Sequence, residues 1–545
     1  MKSKKHCCKC IKVKDACIEI SCLPYVIEKS GKYCLKKDLT WSGVGVAILI
    51  ESDDVSLDGN FHKLSIKKPG SVIVTENISS WDPNIGIKVN GPVINNLNLD
   101  DSRFKNITIK NMTIGSKVNT PNPSPLPSSP SAQSVSTAIR LIGCSHINIT
   151  NVVLDKTTHG IETQNVDGLR IQDSQFIDNY GIRFQINPFF VESYGSNIFQ
   201  YEDSTDLKIE RCMFIGRATG DDSLISFGIF GNSDTLRNRD ILIVDCDFNN
   251  SDSAIHPIQG KNIIVDRCNI YCDKNNYRQI QLGSNINLEQ TVENFKITNS
   301  NIWASDGNFL IQLVLGNNAL FQNLNITYFG AFSFLIGFPD PSIKFNNVVI
   351  DNINIQGDYL AGFFIFNSNN ITIENSTITN TNNPIIINPI ISNTDDDENL
   401  IIAPIKSDFI TILNNEITGN SPIVDGSVGI YLAYTNSSVI KNNRIRSFCT
   451  AIQLESNVTD NSDPPITAGP LNNVIEGNTI VNNADTGQNP GESIIYDGND
   501  NNNLITRFNV NPNPNIFYNN NVSCGFTITT KTKTTIEEYK LKIKL

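Results

Sequence analysis

An eight-residue phrase, apolar-x-apolar-x-turn-x-x-apolar, returns along most of this chain and narrows the folds open to it. It is written INITNVVL from Ile147, LRIQDSQF from Leu169, LKIERCMF from Leu207, ILIVDCDF from Ile241 and IIVDRCNI from Ile263. It returns as FKITNSNI from Phe295, VVIDNINI from Val348, ITIENSTI from Ile371 and ITILNNEI from Ile410, with looser copies from Ile107, Ala319, Ser438 and Asn473. The shortest intervals are 22 or 23 residues, as from 147 to 169, 241 to 263 and 348 to 371. Longer intervals read as the same unit with a loop inserted.

One such unit holds two short strands and a bend, too little to bury its own apolar face. Stacked on copies of itself, it lines its inward residues into apolar columns, and each strand pairs with its equivalents above and below. The bend falls on Asn151, Asp173, Asp245, Asn299, Asn352, Asn375, Asn414, Asn442 and Gly477. These residue types tolerate left-handed backbone angles at low cost. A second register, small-apolar-x-apolar, precedes many units, as in GIETQ at Gly160, GIRFQ at Gly181, AIHPIQ at Ala254, GIYLA at Gly429 and AIQLE at Ala451. It reads as the next wall of the same coil. Helical periodicity is almost absent. A propeller or sandwich array would need hairpin turns and a period nearer forty. The expectation is an all-β chain: a right-handed parallel β-helix, a solenoid with Pro/Ser-rich and Asn-rich loop excursions.

The organisation expected is a Cys/Lys-rich head over 1–24, an entry with the first rungs over 25–115, and a Pro/Ser-rich loop over 116–136. The main β-helix then covers 137–510, and a cap with a basic tail covers 511–545. Six cysteines crowd the head and entry: Cys7, Cys8, Cys10, Cys17, Cys22 and Cys34. Free thiols, a disulfide-linked head and a soft-metal site all remain open there, although the spacing fits no standard zinc pattern. Cys212, Cys246 and Cys268 share one frame position and are expected to stack as buried free thiols. Trp41, Trp81 and Trp303 are assigned to packing.

The net charge of −12 leaves no broad basic surface, which argues against nucleic-acid binding. No secretory signal is legible, and the longest apolar stretch, Tyr328 to Phe338, is too short to span a bilayer. No phosphate loop, metalloprotease helix or serine-triad signature is present, so no cofactor and no metal are expected.

The repeat from about Ile107 to Val510 resembles the right-handed parallel β-helix proteins of the pectin-lyase-like superfamily. The stretch from Tyr25 to Leu64, with GKYCLKKDL followed by VAILIESDDVSLDGNFH, resembles the N-terminal entry of β-helix repeat proteins of bacteria and of giant DNA viruses of amoebae. For the superfamily, this implies a site on the outward face of one sheet. In the second register the outward positions are Glu162, Arg183, Ile225, His256 and Gln281, with Asp221, Asp222 and Arg278 at strand starts. TGDDSLISFG, from Thr219, resembles the double-aspartate rung of polygalacturonases. On that resemblance Asp221 and Asp222 match the paired aspartates, His256 the histidine and Arg278 the arginine, with Glu162, Arg183 and Gln281 as substrate-binding neighbours. The match is incomplete: His256 lacks flanking glycines, RQIQ lacks the lysine, and no Asn-Thr-Asp precedes the rung. The alternative for all of them is the polar outer face that any solenoid carries. The expected function is therefore a non-catalytic surface or structural protein that contacts carbohydrate, a virion component or a protein of host cytoplasm if viral, with a homo-oligomer allowed. The alternative is a glycosidase or lyase acting on an acidic polysaccharide.

Overall fold

The computed structural model describes residues 17–43, 46–67, 70–71, 84–90, 104–116, 134–157, 159–177, 182–183, 204–216, 223–227, 239–249, 253–257, 260–273, 279–283, 291–305, 307, 309–338, 342–387, 407–421, 427–433, 435–448, 450–455, 473–481, 492–497, 516–518, 521–522 and 528–531. Among the described residues every regular element is a strand. The chain divides into two compact units, Met1–Cys272 and Asp273–Leu545.

In the first unit the strands form three parallel ladders, one for each wall of the coil. The first wall runs through Tyr25–Ile27, Val46–Ile50, Asn84–Asn90 and the start of Ser134–Asp155, then His159–Gln172, Ile182–Arg183, Ser223–Phe227 and Ser253–Pro257. The second includes Thr205–Glu210, Arg239–Val244 and Gly260–Asp266. The third includes Gln175–Ile177, Met213–Ile215, Asp247–Asn249 and Asn269–Cys272. The second unit repeats the plan. Its first wall carries Ile280–Leu282, Phe309–Leu313, Phe332–Ile336, Tyr359–Ile365 and Val428–Ala433. Its other walls carry Ile371–Glu374 with Ile410–Leu413, and Glu416–Gly419 with Arg444–Arg446. The fold is a right-handed parallel β-helix, the crossover sense that right-twisted strands impose on parallel connections.

Two left-handed corners bracket the second wall, five residues apart. They fall at Asn106 and Asn111, His146 and Asn151, Gly168 and Asp173, Asp206 and Arg211, Asp240 and Asp245, and Asn262 and Arg267. In the second unit they include Asn294 and Asn299, Asn318 and Asn323, Asn347 and Asn352, Asn370 and Asn375, and Phe409 and Asn414. All nine corner residues expected from the sequence have positive φ. The earlier corner of each pair was not anticipated. Outside the core the corner amides bond from coil to coil, with Asn323 donating to Asn299 at 2.9 Å and Asn352 to Asn323 at 2.8 Å.

The walls enclose apolar columns. Ile371, Ile373 and Ile378 of one phrase are fully buried, with the corner Asn375 between them. Phe176, Phe214 and Phe248 stack face to face at 4.6 and 4.8 Å. In the second unit a buried amide ladder replaces apolar residues at one corner. Asn478 Oδ1 accepts from the Asn443 backbone at 2.9 Å, and Asn443 Oδ1 accepts from the Asn415 backbone at 2.9 Å. Each side-chain amide spends its own protons on a carbonyl of the coil before: Asn415 on Ile373, Asn443 on Ile412 and Asn478 on Ile440. Buried polar groups are thereby satisfied as the interior requires.

Cys212, Cys246 and Cys268 are buried thiols outside any disulfide, as expected. Each thiol donates to backbone carbonyls, and for Cys246 these are Val244 and Ile209. Hydrogen bonding with Cys212, together with burial, pushes the Cys246 thiol well above the usual range. In the entry, the structure selects the disulfide among the open alternatives: Cys17 is bonded to Cys34, with Cα atoms 5.6 Å apart. Cys7, Cys8 and Cys10 lie outside the described residues. Trp41 and Trp303 are half-buried rather than in the core.

Candidate functional site

Parallel pairing without a register slip keeps chemically distinct residues in straight rows along a wall, one strand spacing of ~4.8 Å apart. On the first wall of the first unit, one row reads Lys88, Arg140, Glu162, Arg183, Ser226 and His256. The neighbouring row, one residue earlier, reads Ile87, Ile139, Ile161, Ile182, Ile225 and Ile255. Ile139, Ile161 and Ile255 are fully buried, so this second row belongs to the apolar interior.

Glu162, Arg183 and His256 therefore share one row, with Glu162 and Arg183 direct neighbours. Ile225 does not belong to it. Ser226 takes that place, because LISF carries its polar residue one position later than the frame from Asp221 implied. Lys88 and Arg140 extend the row on the other side and were not anticipated. The signal was available, since the residue after each row isoleucine is polar throughout. Arg140 is 6% exposed. Asp221, Asp222 and Arg278 lie outside the described residues. Gln281 is in the second unit, at 4% exposure, and its amide donates to the Gly283 carbonyl at 3.3 Å. The open outer position expected for it is not what the structure gives: its side chain is buried and turned back onto its own strand end.

A second polar row runs along the corner of the first unit. Arg211 holds Asp173, and Arg267 holds Asp245, each by two hydrogen bonds. Glu210 sits beside Arg211 and accepts from Lys208 at 2.9 Å and Gln172 at 2.8 Å. Hydrogen bonding from Lys208 and then Gln172 holds its carboxyl down at about 2. The guanidinium of Arg211 lowers Asp173, and that of Arg267 lowers Asp245. These carboxylates are locked in ion pairs and ionised at neutral pH, a setting that suits neither a general acid nor a base. Among the described residues no group of three or more His, Cys, Asp or Glu is placed to hold a metal ion. No helix of the described residues is long and apolar enough to cross a membrane.

No family model matches the sequence, and no curated protein matches it. Similar solved structures include a tailspike protein mutant of E. coli bacteriophage HK620 in complex with a pentasaccharide. It shows 10% identity over 86% of this chain and 72% of that one, with a TM-score of 0.45. Another is the Streptococcus pneumoniae surface protein and adhesin PfbA, at 11% identity over 93% of this chain and 91% of that one, with a TM-score of 0.29.

Proposed function

We propose that this protein is a non-catalytic β-helix protein that contacts carbohydrate at a particle or cell surface, with a virion as one such particle. The observation that carries the reading is the row Lys88, Arg140, Glu162, Arg183, Ser226 and His256. It sets cationic, anionic and hydroxyl residue types at successive strand spacings along one wall. An elongated polymer with repeating hydroxyl and carboxyl groups meets such a row repeatedly, so many weak contacts sum along its length. Binding to a glycan array that spans charged and uncharged polymers tests it. Retention of charged glycans by the native chain, weakened at least tenfold by Arg183→Ala, is the expected result. Equal retention by the two proteins would remove the row from the account.

One observation favours a second reading, a lyase or glycosidase for an acidic polysaccharide: His256 stands in the same row as Glu162 and Arg183, where a base and a cation would serve a uronate. A reducing-sugar and unsaturated-product assay on uronic-acid polymers separates the two. Turnover abolished by Asp222→Asn establishes the enzyme; binding without turnover supports the non-catalytic reading.

A further inference from the structure

The wall of the second unit that carries Asn301–Ala304, Glu416–Gly419 and Arg444–Arg446 turns two polar rows outward. Register pairing strings Asn301, Asn325, Asn354, Thr377, Glu416 and Arg444 along successive coils. Two residues further along each strand stand Trp303, Thr327 and Gln356, and then Thr379, Thr418 and Arg446. Between the rows, Ile302, Ile326, Ile355, Ile378, Ile417 and Ile445 are buried. Strand alternation therefore points both rows at solvent, and every member is exposed or half-buried. The wall before it differs: its outward row carries Leu320 beside Val349, and Val439 beside Val474. A polar face is thus particular to this wall of the unit.

The two rows differ in how they are held. In the second, Gln356 donates to Thr327 Oγ1 at 3.2 Å. Arg446 donates to Thr418 Oγ1 at 2.8 Å and to Glu416 Oε1 at 2.7 Å. In the first row Asn325 donates to Asn301 at 3.1 Å. The side chains of Asn354, Thr377 and Arg444, by contrast, make no hydrogen bond or ion pair among the described residues. Arg444 is exposed, and the Glu416 carboxylate opposite it is already matched by Arg446. One positive charge is left over at that end. At the other end Trp303 is half-buried, and Phe329, 43% exposed, meets it edge-on at 6.4 Å.

We propose that this face binds a linear polysaccharide bearing a carboxylate substituent, a contact that rests on the carbohydrate reading but not on the row from Lys88 to His256. Amide and hydroxyl side chains both donate and accept, which is what ring hydroxyls require. The strand spacing of ~4.8 Å is comparable with the length of one sugar ring in a linear chain, so successive rings meet successive coils. The uncommitted guanidinium of Arg444 takes the carboxylate, for which its planar fork is suited. Trp303 and Phe329 offer ring surface to the apolar face of a sugar at the far end. The face is open along its length, so a polymer reaches it without displacing any part of the wall.

The test is calorimetric titration of the full-length chain with polygalacturonate, alginate and hyaluronate, each beside its carboxyl-reduced form. Saturable binding of at least one acidic polymer is expected, at least tenfold weaker for its reduced form. Arg444→Ala is expected to weaken it at least tenfold, and Thr377→Val, which keeps the branched shape, severalfold. Neither side chain holds another within the wall, and circular dichroism checks that both variants fold. Arg183→Ala separates this face from the row of the first unit. Binding weakened by Arg444→Ala, whether or not Arg183→Ala also weakens it, supports the face described here. Binding weakened by Arg183→Ala alone overturns the proposal and leaves the first-unit row standing. Absence of binding by all three acidic polymers overturns it, and so does equal binding of the carboxyl-reduced forms.

Discussion

Arg211 grips Asp173 across one coil of the helix, Nε to Oδ1 at 2.7 Å and Nη2 to Oδ2 at 3.1 Å, although both residues sit at corners with φ near +50°. Arg267 repeats the grip on Asp245 at 2.7 and 3.0 Å. Arginine is a poor occupant of the left-handed region. Its presence at two corners of the same row is explained by the bidentate fork, which fixes carboxylate geometry as lysine does not. Replacing Arg211 by Lys is expected to lower the unfolding midpoint measurably, and Arg211→Asn, which restores the commoner corner residue, to lower it less. Thermal melts of the two variants against the native chain check the ranking.

The same pairs fix a pH dependence. Glu210, Asp173 and Asp245 all bind protons less readily in the folded chain than a free carboxyl does. Their contribution is therefore complete above the unfolded carboxylate pKa of ~4 and is lost as pH falls below it. For Glu210 the loss continues down to about 2. Urea unfolding at pH 7 and at pH 3 should show the folded state weakening on acidification, and Glu210→Gln should flatten that slope. A slope identical in the variant would mean that other carboxylates set it.

The buried amide ladder gives a larger effect. Asn443 is 1% exposed and joins three coils through its backbone and side chain. Asn443→Ala leaves the backbone N–H of Asn415 and the carbonyl of Ile412 without these partners inside the solenoid. A loss of about 2–4 kcal/mol is expected from two stranded polar groups. Asn443→Asp keeps the shape but buries a charge among acceptors, and should be worse at pH 7 than at pH 4. Equilibrium denaturation at the two pH values measures both.

The scaffold was legible because its signal is written in every coil. Ile371 and Ile373 alternate inward, and Asn375 marks the bend. The earlier corner also carries Asn or Asp, at Asn106, Asp206, Asp240, Asn262, Asn294, Asn318, Asn347 and Asn370, but it lies just before the alternating phrase rather than inside it, and His146, Phe409 and Ser437 interrupt the pattern. Ile225 was put in the wrong row because a single-residue frame error moves a side chain to the other face. Only pairing with Arg183 and His256 identifies Ser226 instead. The burial of Gln281 was beyond reach for another reason. Its own strand pattern is that of an outer residue, and neither its 4% exposure nor its bond to the Gly283 carbonyl can be read from that pattern.

Phe214 is the middle ring of a three-coil stack, fully buried and within 5 Å of both neighbours, nearly parallel to Phe176 at 12° and to Phe248 at 7°. Phe214→Ala opens a cavity that the β-ladder on either side cannot collapse to fill. A cost of about 4 kcal/mol follows for a buried phenylalanine in a rigid core. Phe214→Leu should cost roughly half of that or less, because it refills most of the volume. Chemical denaturation of both variants measures the difference.

The entry of the solenoid is stapled by Cys17–Cys34, which closes a short loop onto the pair of strands Ile18–Ile20 and Gly31–Leu35. The sequence separation is 17. A cross-link of that span stabilises by about 3 kcal/mol, through restriction of the unfolded chain. Its benefit falls on the terminal coils, because stability in a solenoid is summed from neighbouring rungs. Cys34→Ser is therefore expected to speed hydrogen exchange in 18–58 while leaving exchange around Phe214 unchanged. The buried thiols Cys212, Cys246 and Cys268 give an internal control: they should resist alkylation in the native and the variant chain alike until the core itself unfolds. Faster exchange throughout the first unit in Cys34→Ser would show instead that the staple supports the whole stack of coils.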